Sequence, residues 1–427
     1  MNTADFLKSV SSFIWGNGLI FLLLFTGLLF TLKLGFIQFR FIPCLVRSVR
    51  NCGKAQEQGG ISQLKTVCMS LGTAMGTGNI TGVASAIAIG GAGAVFWMWV
   101  SAFFGMAIVY GENYLALTYR RSGECSGPMA YLKYGLGSNV LAAVFAVFCI
   151  IAALGMGGMV QVSSFSSALS GCCHVSPYII GGAAFVLIYL VIKGGADRIG
   201  SAAQALLPLI TAAYTIVSLA VIFTHKENII PVFADIFTGA FEPAPVAGGV
   251  AGFAVSRAVS AGIRRGIFSN EAGLGSSPIL HSASENGSPS LQGMWSMFEV
   301  FFDTIVCCTL TALVILTAGG ESLSVSGALS TVLGRGADVF LTVSMGVFAF
   351  CTIIGWYYCG ETAFSSIFSS GEKIFCLLFA AFSALGAVVT LETVFTLSDI
   401  FNGLMAFPNL AGLLLLSNKV TNKVKKE

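Results

Sequence analysis

The stretch from Ser70 to Gly91, SLGTAMGTGNITGVASAIAIGG, gathers residue types that could do chemistry in an apolar setting. Gly72, Gly76, Gly78 and Gly82 are interleaved with Thr73, Thr77, Asn79 and Thr81, and no charge falls within the stretch. Such a run weakens a helix at mid-depth in a membrane. The amides and carbonyls it frees can meet a carboxylate and a small cation, and the Asn and Thr oxygens add neutral ligands. The same spacing also suits a helix-packing face, because Gly72 and Gly76, like Gly78 and Gly82, lie one turn apart. Packing gives no reason for Asn79, which favours the ligand reading.

Two other side chains stand out against apolar surroundings. Gln161 is the one amide in LGMGGMVQVSSF (154–165). It offers both a donor and an acceptor, which suits the amino group or carboxylate of a zwitterion, or else an interhelical hydrogen bond. Trp356 follows Thr352 by four residues and so shares its helix face. A ring there would cap a small pocket; the other reading is an interfacial aromatic, which its place within an apolar span opposes.

These residues need elements to hold them, and composition says which. The chain of 427 residues is 56% hydrophobic and only 10% charged, against about 25% charged in a soluble domain. That excludes a cytosolic enzyme, a nucleic-acid binder and a disordered chain, and leaves an all-α polytopic protein of the lipid bilayer. Charge-free windows predict about eleven spans. The first is 13–32; the next two share the stretch from Lys65 to Glu112, divided at GGAGA (90–94). Two more lie between Lys133 and Lys193, divided near 170–177. The rest are 199–223, 246–263, 291–317, 337–360, 374–391 and 394–417. The N-terminus lacks a basic region and a small-residue cleavage site, so the first span reads as an anchor.

Lys and Arg recur in alternate loops: Arg40, Arg47, Arg50, Lys54 and Lys65; Arg120, Arg121 and Lys133; Lys193 and Arg198; and Lys419, Lys423, Lys425 and Lys426. The other loops carry Lys8, Lys226 and Arg335. The positive-inside rule then puts the N-terminus outside and the C-terminus in the cytoplasm of a cell-membrane protein. The segment 38–64 mixes bulky apolar and basic residues, as a segment lying along the inner surface would. An odd span plus ten divides into one N-terminal helix with its connection (1–64), a core (65–418) of two five-helix sets (65–223 and 246–418), and a basic tail (419–427). The two sets would be inverted, as in transporters with a broken first helix in each half.

In the seventh span the apolar stretch 246–263 puts mid-membrane at Val259, Ser260 and Ile263, which are expected to face a substrate. Arg264, Arg265 and Glu271 are then expected toward the cytoplasm, where burial costs less. A break in GIFSN (266–270) competes, but would place two adjacent arginines at the bilayer centre. Glu299 and Asp303, four apart, are expected to meet a base such as Arg257, and Glu112, Glu361 and Asp399 are expected near span ends; an ion-paired structural role is the favoured reading of these acids and a proton relay the other. His174 and His225 read as outer-loop residues and His281 as an inner one. No His has a metal-ligand partner at suitable spacing, and the 12 Cys show no CxxC. No P-loop or other nucleotide motif is present. No cofactor or nucleotide is expected, and transport must run on a gradient.

The motifs GTGNITGVASAIAIGGAGAVFWMWVSAFFGMA (76–107), RRGIFSNEAGLGSSP (264–278) and TIIGWYYCGE (352–361) resemble the alanine or glycine:cation symporter family, and the resemblance runs from about residue 15 to 418. It implies one extra helix followed by a leucine-transporter-type inverted repeat of five plus five. It also implies uptake of small neutral amino acids with Na⁺, or in some members H⁺. Substrate contacts are implied at Gly76, Thr77, Gly78 and Asn79, with support for Gln161. A Na⁺ is implied at the carbonyls of Gly72 and Met75 and the hydroxyl of Thr352. The sequence departs from the family at Ala92, where Pro is common, and at Cys351, where a hydroxyl is. Na⁺ prefers hard oxygen ligands, so Cys351 would offer only its carbonyl. The reading is thus a symporter for alanine and/or glycine. A carrier of another neutral amino acid such as glutamine or serine, coupled to Na⁺ or H⁺, is the alternative. From other classes, an uncoupled facilitator remains, while a membrane sensor would need a soluble domain that the short loops do not supply.

Overall fold

The computed structural model describes residues 3–43, 45–46, 61–121, 124–241, 257–284, 287–319, 324–368 and 370–420, and their regular structure is helical apart from one isolated bridge between Ile61 and Ser284. Arg47, Arg50, Lys54, the start of the expected seventh span (246–256), Lys423, Lys425 and Lys426 lie outside the described residues, as does most of the segment 38–64.

Seven helices among the described residues are long and apolar enough to cross a membrane. The N-terminal one consists of α1 (Thr3–Ile14) and α2 (Asn17–Lys33), divided at Trp15–Gly16. Lys33 ends α2, and its Nζ donates to Ser417 Oγ (2.6 Å) and Asn418 Oδ1 (2.7 Å), fixing this end of α2 to the end of the chain's last helix. The expected second span is two short helices, α3 (Gln63–Ala74) and α4 (Thr81–Gly90). Ser62 caps α3 by accepting from the Lys65 amide at 3.4 Å. Gly91, at φ 67°, turns the chain into α5 (Gly93–Thr118).

α6 (Asn139–Cys173) passes through a π-helical stretch at Ala153–Val160, immediately before Gln161. α7 (Pro177–Ile192), α8 (Gly195–Thr224) and the short α9 (Ile229–Gly239) follow. The expected seventh span appears as α10 (Arg257–Asn270) and α11 (Ser276–His281). α12 (Pro289–Ala318) carries a further π-helical stretch at Phe301–Cys308. The chain closes with α13 (Val325–Leu333), α14 (Ala337–Ile367), α15 (Glu372–Leu385) and α16 (Leu391–Val420). α9 and α13 were not foreseen: both are apolar but too short for a span, so charge-free windows absorb them into loops.

α5 is the central helix and meets α10 and α12 most extensively. Small residues allow that approach: a Cβ at Gly262 would lie 2.3 Å from Ala94 O, and one at Gly266 would lie 2.0 Å from Ser101 Oγ. The bundle has two distinct ends. At one, Lys33 meets Ser417, Lys65 pairs with Asp197 at 2.6 Å, and Arg120 donates to the Ser282 and Ser284 carbonyls at 2.9 and 3.0 Å. At the other, Gly90 packs on Ala258 and Gly93 on Gly239, Trp97 Nε1 donates to Ala240 O at 2.9 Å, and Lys8 pairs with Glu392 at 2.5 Å. These are called the basic end and the Gly90 end below. The ten described cysteines are free, and seven of them are buried.

Candidate functional site

The site begins where α3 stops. Met75 (φ −74°, ψ 76°) and Gly76 (φ −111°, ψ −156°) leave the helical region, Thr77–Asn79 form a single 3₁₀ turn, and α4 starts at Thr81. The backbone groups that this break frees face α6 and α14. Gln161 Oε1 accepts from the Thr77 amide at 3.1 Å and from Thr77 Oγ1 at 3.0 Å, while its Nε2 donates to Met156 O at 3.2 Å. The π turn before Gln161 leaves carbonyls such as that of Met156 in reach of its side chain. Gly76 is required by space: a Cβ there would lie 2.6 Å from Thr352 Oγ1 and 3.0 Å from Gln161 Oε1.

Thr352 crosses between helices. Its hydroxyl donates to Gly72 O at 3.0 Å instead of back-bonding within α14. Cys351 is buried beside it, with its Cβ 3.2 Å from where a Cβ at Gly72 would stand. Gly72, Gly76, Thr77, Gln161, Cys351 and Thr352 therefore come together around the first break.

The second break is further along than expected. α10 remains helical to Asn270, and the chain turns through Glu271 (φ 56°), Gly273 (φ 85°) and Gly275 (φ 86°) before α11. Val259, Ser260 and Ile263 lie on intact helix; Ile263 is eight residues before Glu271, about 12 Å along the axis. Ile263 lines a small space with Leu23, Leu24 and Phe104, away from the first break. Arg264 and Arg265 likewise lie toward the Gly90 end, not toward the basic end. Buried Asp399 of α16 accounts for this: it pairs with Arg264 and lies 3.8 Å from Arg265 Nη1, and the Arg265 guanidinium stands over the rings of Phe268 (5.7 Å) and Phe395 (5.1 Å). The desolvation that argued against a later break is offset by a carboxylate distant in sequence. Trp15 Nε1 donates to Asp399 O at 2.6 Å, and Ser11 accepts from Arg264.

Several residues of the site escaped the sequence reading. Phe268 stands 3.3 Å from the Cβ position of Gly78. Asn79 Nδ2 donates to Asp303 Oδ1 at 2.6 Å, Ser269 Oγ donates to Asp303 Oδ2 at 2.7 Å and Thr304 Oγ1 to the same oxygen at 2.9 Å. Asp303 thus meets an amide donor from the first break and a hydroxyl donor from the last turn of α10. Glu299 meets His281 and Ser70, and Arg257, the base expected to serve both acids, is exposed at the start of α10. The distinctive SNEAG motif was the available signal, since it spells the last turn of α10 and the break.

Trp356 is fully buried and its Nε1 donates to Glu271 Oε1 at 2.8 Å, while a Cβ at Gly157 would come within 2.2 Å of the Trp356 Cβ. Glu271 also accepts from Ser276. Glu112 and Asp399, expected near span ends, are buried. Glu112 Oε1 accepts from Asn409 Nδ2 at 2.5 Å, and Asn409 also donates to Gly273 O at 2.8 Å.

A cleft of about 540 Å³ enters from the Gly90 end, lined by Lys8, Thr81, Ser85, Leu391 and Glu392, and reaches Arg264, Arg265, Phe395 and Asp399. From there to the first break the layer is thin: Phe268 packs on Phe395, with ring centroids 5.4 Å apart, and lies against Gly78.

A family model described as the sodium:alanine symporter family matches residues 1–426. The sodium/alanine symporter AgcS of Methanococcus maripaludis is 37% identical over 100% of this chain and 97% of its own length. A Bacillus subtilis protein named "Probable sodium/glutamine symporter GlnT" is 35% identical, covering 96% of this chain and 88% of its own. Among solved structures, MhsT in complex with L-phenylalanine superposes with a TM-score of 0.63 at 14% identity, covering 85% of this chain and 90% of that one, which shows a shared leucine-transporter-type fold.

Proposed function

Because the chain belongs to the sodium:alanine symporter family, a family of multi-pass membrane transporters and not of enzymes, we propose that it imports alanine and/or glycine together with Na⁺ by alternating access. The observation that carries this reading is the Gln161 carboxamide oxygen at the Thr77 amide, 3.1 Å away. A carboxamide oxygen and a carboxylate oxygen ask the same thing of an N–H donor. Gln161 therefore occupies the position that a substrate carboxylate takes at the break, and on binding its amide turns to the substrate. Gly76, Gly78 and Asn79 complete the wall, and among the described residues the Thr77 amide and hydroxyl meet a neutral carboxamide, which suits a zwitterion rather than an anion. The packing of Trp356 on Gly157 beyond Gln161 fits a small side chain.

Na⁺ fits the adjacent corner. The Thr352 hydroxyl and the Gly72 carbonyl are already 3.0 Å apart, the Met75 carbonyl is freed by the break, and Cys351 adds its carbonyl only. A cation there ties α3 to α14 and orders the residues that bind the amino acid, so each ligand raises the affinity of the other. The cleft at the Gly90 end is the outer entrance, with Phe268, Phe395 and the Arg264–Asp399 pair as its floor.

We read eleven crossings, one helix before an inverted pair of five-helix sets (65–223 and 246–418), with the N-terminus outside and the basic end in the cytoplasm. Uptake of radiolabelled alanine into proteoliposomes, with and without an inward Na⁺ gradient, tests the function. Accumulation that follows the Na⁺ gradient is expected, and uptake indifferent to both Na⁺ and pH gradients would sink it. Competition by glycine, serine and glutamine in the same assay separates this substrate class from a larger one.

A further inference from the structure

On the basic side of both breaks, α3, α11 and α12 meet over a buried cluster that plays no part in the reading above. His281 is fully buried at the end of α11. Its Nδ1 lies 2.7 Å from Gln292 Oε1, and its Nε2 lies 3.0 and 3.1 Å from the two carboxyl oxygens of Glu299. Ser70 of α3 donates to Glu299 Oε2 at 2.7 Å. The Gln292 amide nitrogen donates to Gln63 Oε1 at 2.5 Å and to Ser284 Oγ at 3.1 Å, which turns the amide oxygen to the imidazole.

Each imidazole nitrogen thus faces an oxygen acceptor. A neutral imidazole has one N–H and one bare lone pair, so beside an ionised Glu299 it would hold that lone pair against an oxygen in a buried site. One added proton removes the conflict, either as imidazolium against carboxylate or as neutral imidazole against carboxylic acid. We propose that His281 and Glu299 form a proton-binding site that is filled while α3, α11 and α12 are packed together and emptied into the cytoplasm when they part. This rests on the alternating-access reading, in which the basic end opens to release the substrate. Opening breaks the Nε2–Glu299 contact and frees one proton to cytoplasmic water; closing takes one back from the same side. The proton crosses no membrane. It is a ligand of the closed state, and an alkaline cytoplasm favours release of the amino acid.

The other ionisable groups around the cluster are engaged elsewhere. Glu271 faces it across a space of about 10 Å³ and is held by Trp356 and Ser276. Asp303 is held by Asn79 and Ser269, Glu112 by Asn409, and Glu361 by Tyr357 at 2.7 Å. Lys65 pairs with Asp197, Arg120 binds backbone carbonyls, and Cys359 Sγ meets the Ser276 carbonyl at 3.8 Å. Cys68, buried on α3 two residues before Ser70, is the thiol nearest in sequence to the cluster.

Cys68 supplies a substrate-free test. The full chain in nanodiscs is treated with N-ethylmaleimide at pH 6, 7 and 8, and Cys68 labelling is read by peptide mass spectrometry. Labelling is divided by that of exposed Cys173, which corrects for the thiolate fraction. Linkage to one proton sets a ceiling of about tenfold per pH unit. The normalised labelling of the wild type is expected to rise with pH toward that slope, and that of His281→Gln to be flat. If His281→Gln does not fold, Glu299→Gln takes its place, and the wild-type slope stands as a test by itself. A flat wild-type ratio overturns the proposal, as does a folded variant that keeps the wild-type slope. Alanine accumulation driven by an inward proton gradient at equal Na⁺ overturns it too, by making the proton a cargo. Since labelling needs no substrate, absent alanine uptake with a steep labelling slope fails only the transport reading, and Na⁺-driven uptake with a flat slope fails only the proton site.

Discussion

The two breaks that bracket the site are built on opposite principles. At Met75–Ile80 the freed Thr77 amide is met by a neutral amide from another helix, Gln161, while the Thr77 carbonyl accepts from the Thr81 hydroxyl at 2.7 Å. At Glu271–Gly275 the chain is clamped from several directions: Asn270 Oδ1 accepts from the Ala272 amide at 3.1 Å, Asn409 donates to Gly273 O, and Glu271 accepts from Trp356 and Ser276. One break holds its polar groups against a partner that can turn away. The other spends them on its own support. The lesson is that a non-helical turn inside a membrane is no binding site by itself; what satisfies its backbone decides whether a ligand can replace it.

The comparison can be broken at three points. Gly76→Ala places a methyl 2.6 Å from Thr352 Oγ1 and 3.0 Å from Gln161 Oε1; uptake should fall by about a hundredfold, the scale of an ångström's misplacement in a fitted site, while size-exclusion chromatography shows a folded protein. Thr352→Ala removes a hydroxyl at the cation corner and should raise the Na⁺ concentration for half-maximal uptake by about tenfold. Trp356→Phe removes the N–H held by Glu271 but keeps a ring, so it strikes the clamped break. A lower melting temperature is expected, from a loss of about 1.5 kcal/mol, with the alanine concentration for half-maximal uptake little changed. An unchanged melting temperature with altered selectivity would instead make Trp356 the lid of the pocket.

How far the sequence could be read follows from the same contrast. The first break was legible because its glycines, threonines and Asn79 are contiguous, and Gln161 because an amide is conspicuous among apolar neighbours. The second was misplaced because its legibility depends on residue 399. Seen alone, Arg264 and Arg265 cannot lie deep in a membrane; with Asp399 beside them and Phe268 and Phe395 beneath, they can, on the side opposite to the expected one. Asp303 was noticed as an acid, but its donors come from α4's side of the first break and from α10, and no spacing announces such a convergence. His281 was set aside for lack of a metal partner, and its partner proved to be Glu299.

The π-helical stretches bear on how this family's sequences should be compared. A π turn holds one residue more than an α turn over the same contacts. One stretch ends directly before Gln161 and another contains Asp303. A lineage that drops a single residue within 153–160 or 301–308 would keep its hydropathy profile and its span. It would close the π turn to an α turn and leave the later side chains, Gln161 among them, on their faces; what it would take away is the carbonyl that the π turn leaves free, such as that of Met156, which accepts from Gln161 Nε2 at 3.2 Å. A one-position gap at either stretch is therefore a change of trait, to be counted with substitutions at the site and not smoothed away as alignment noise.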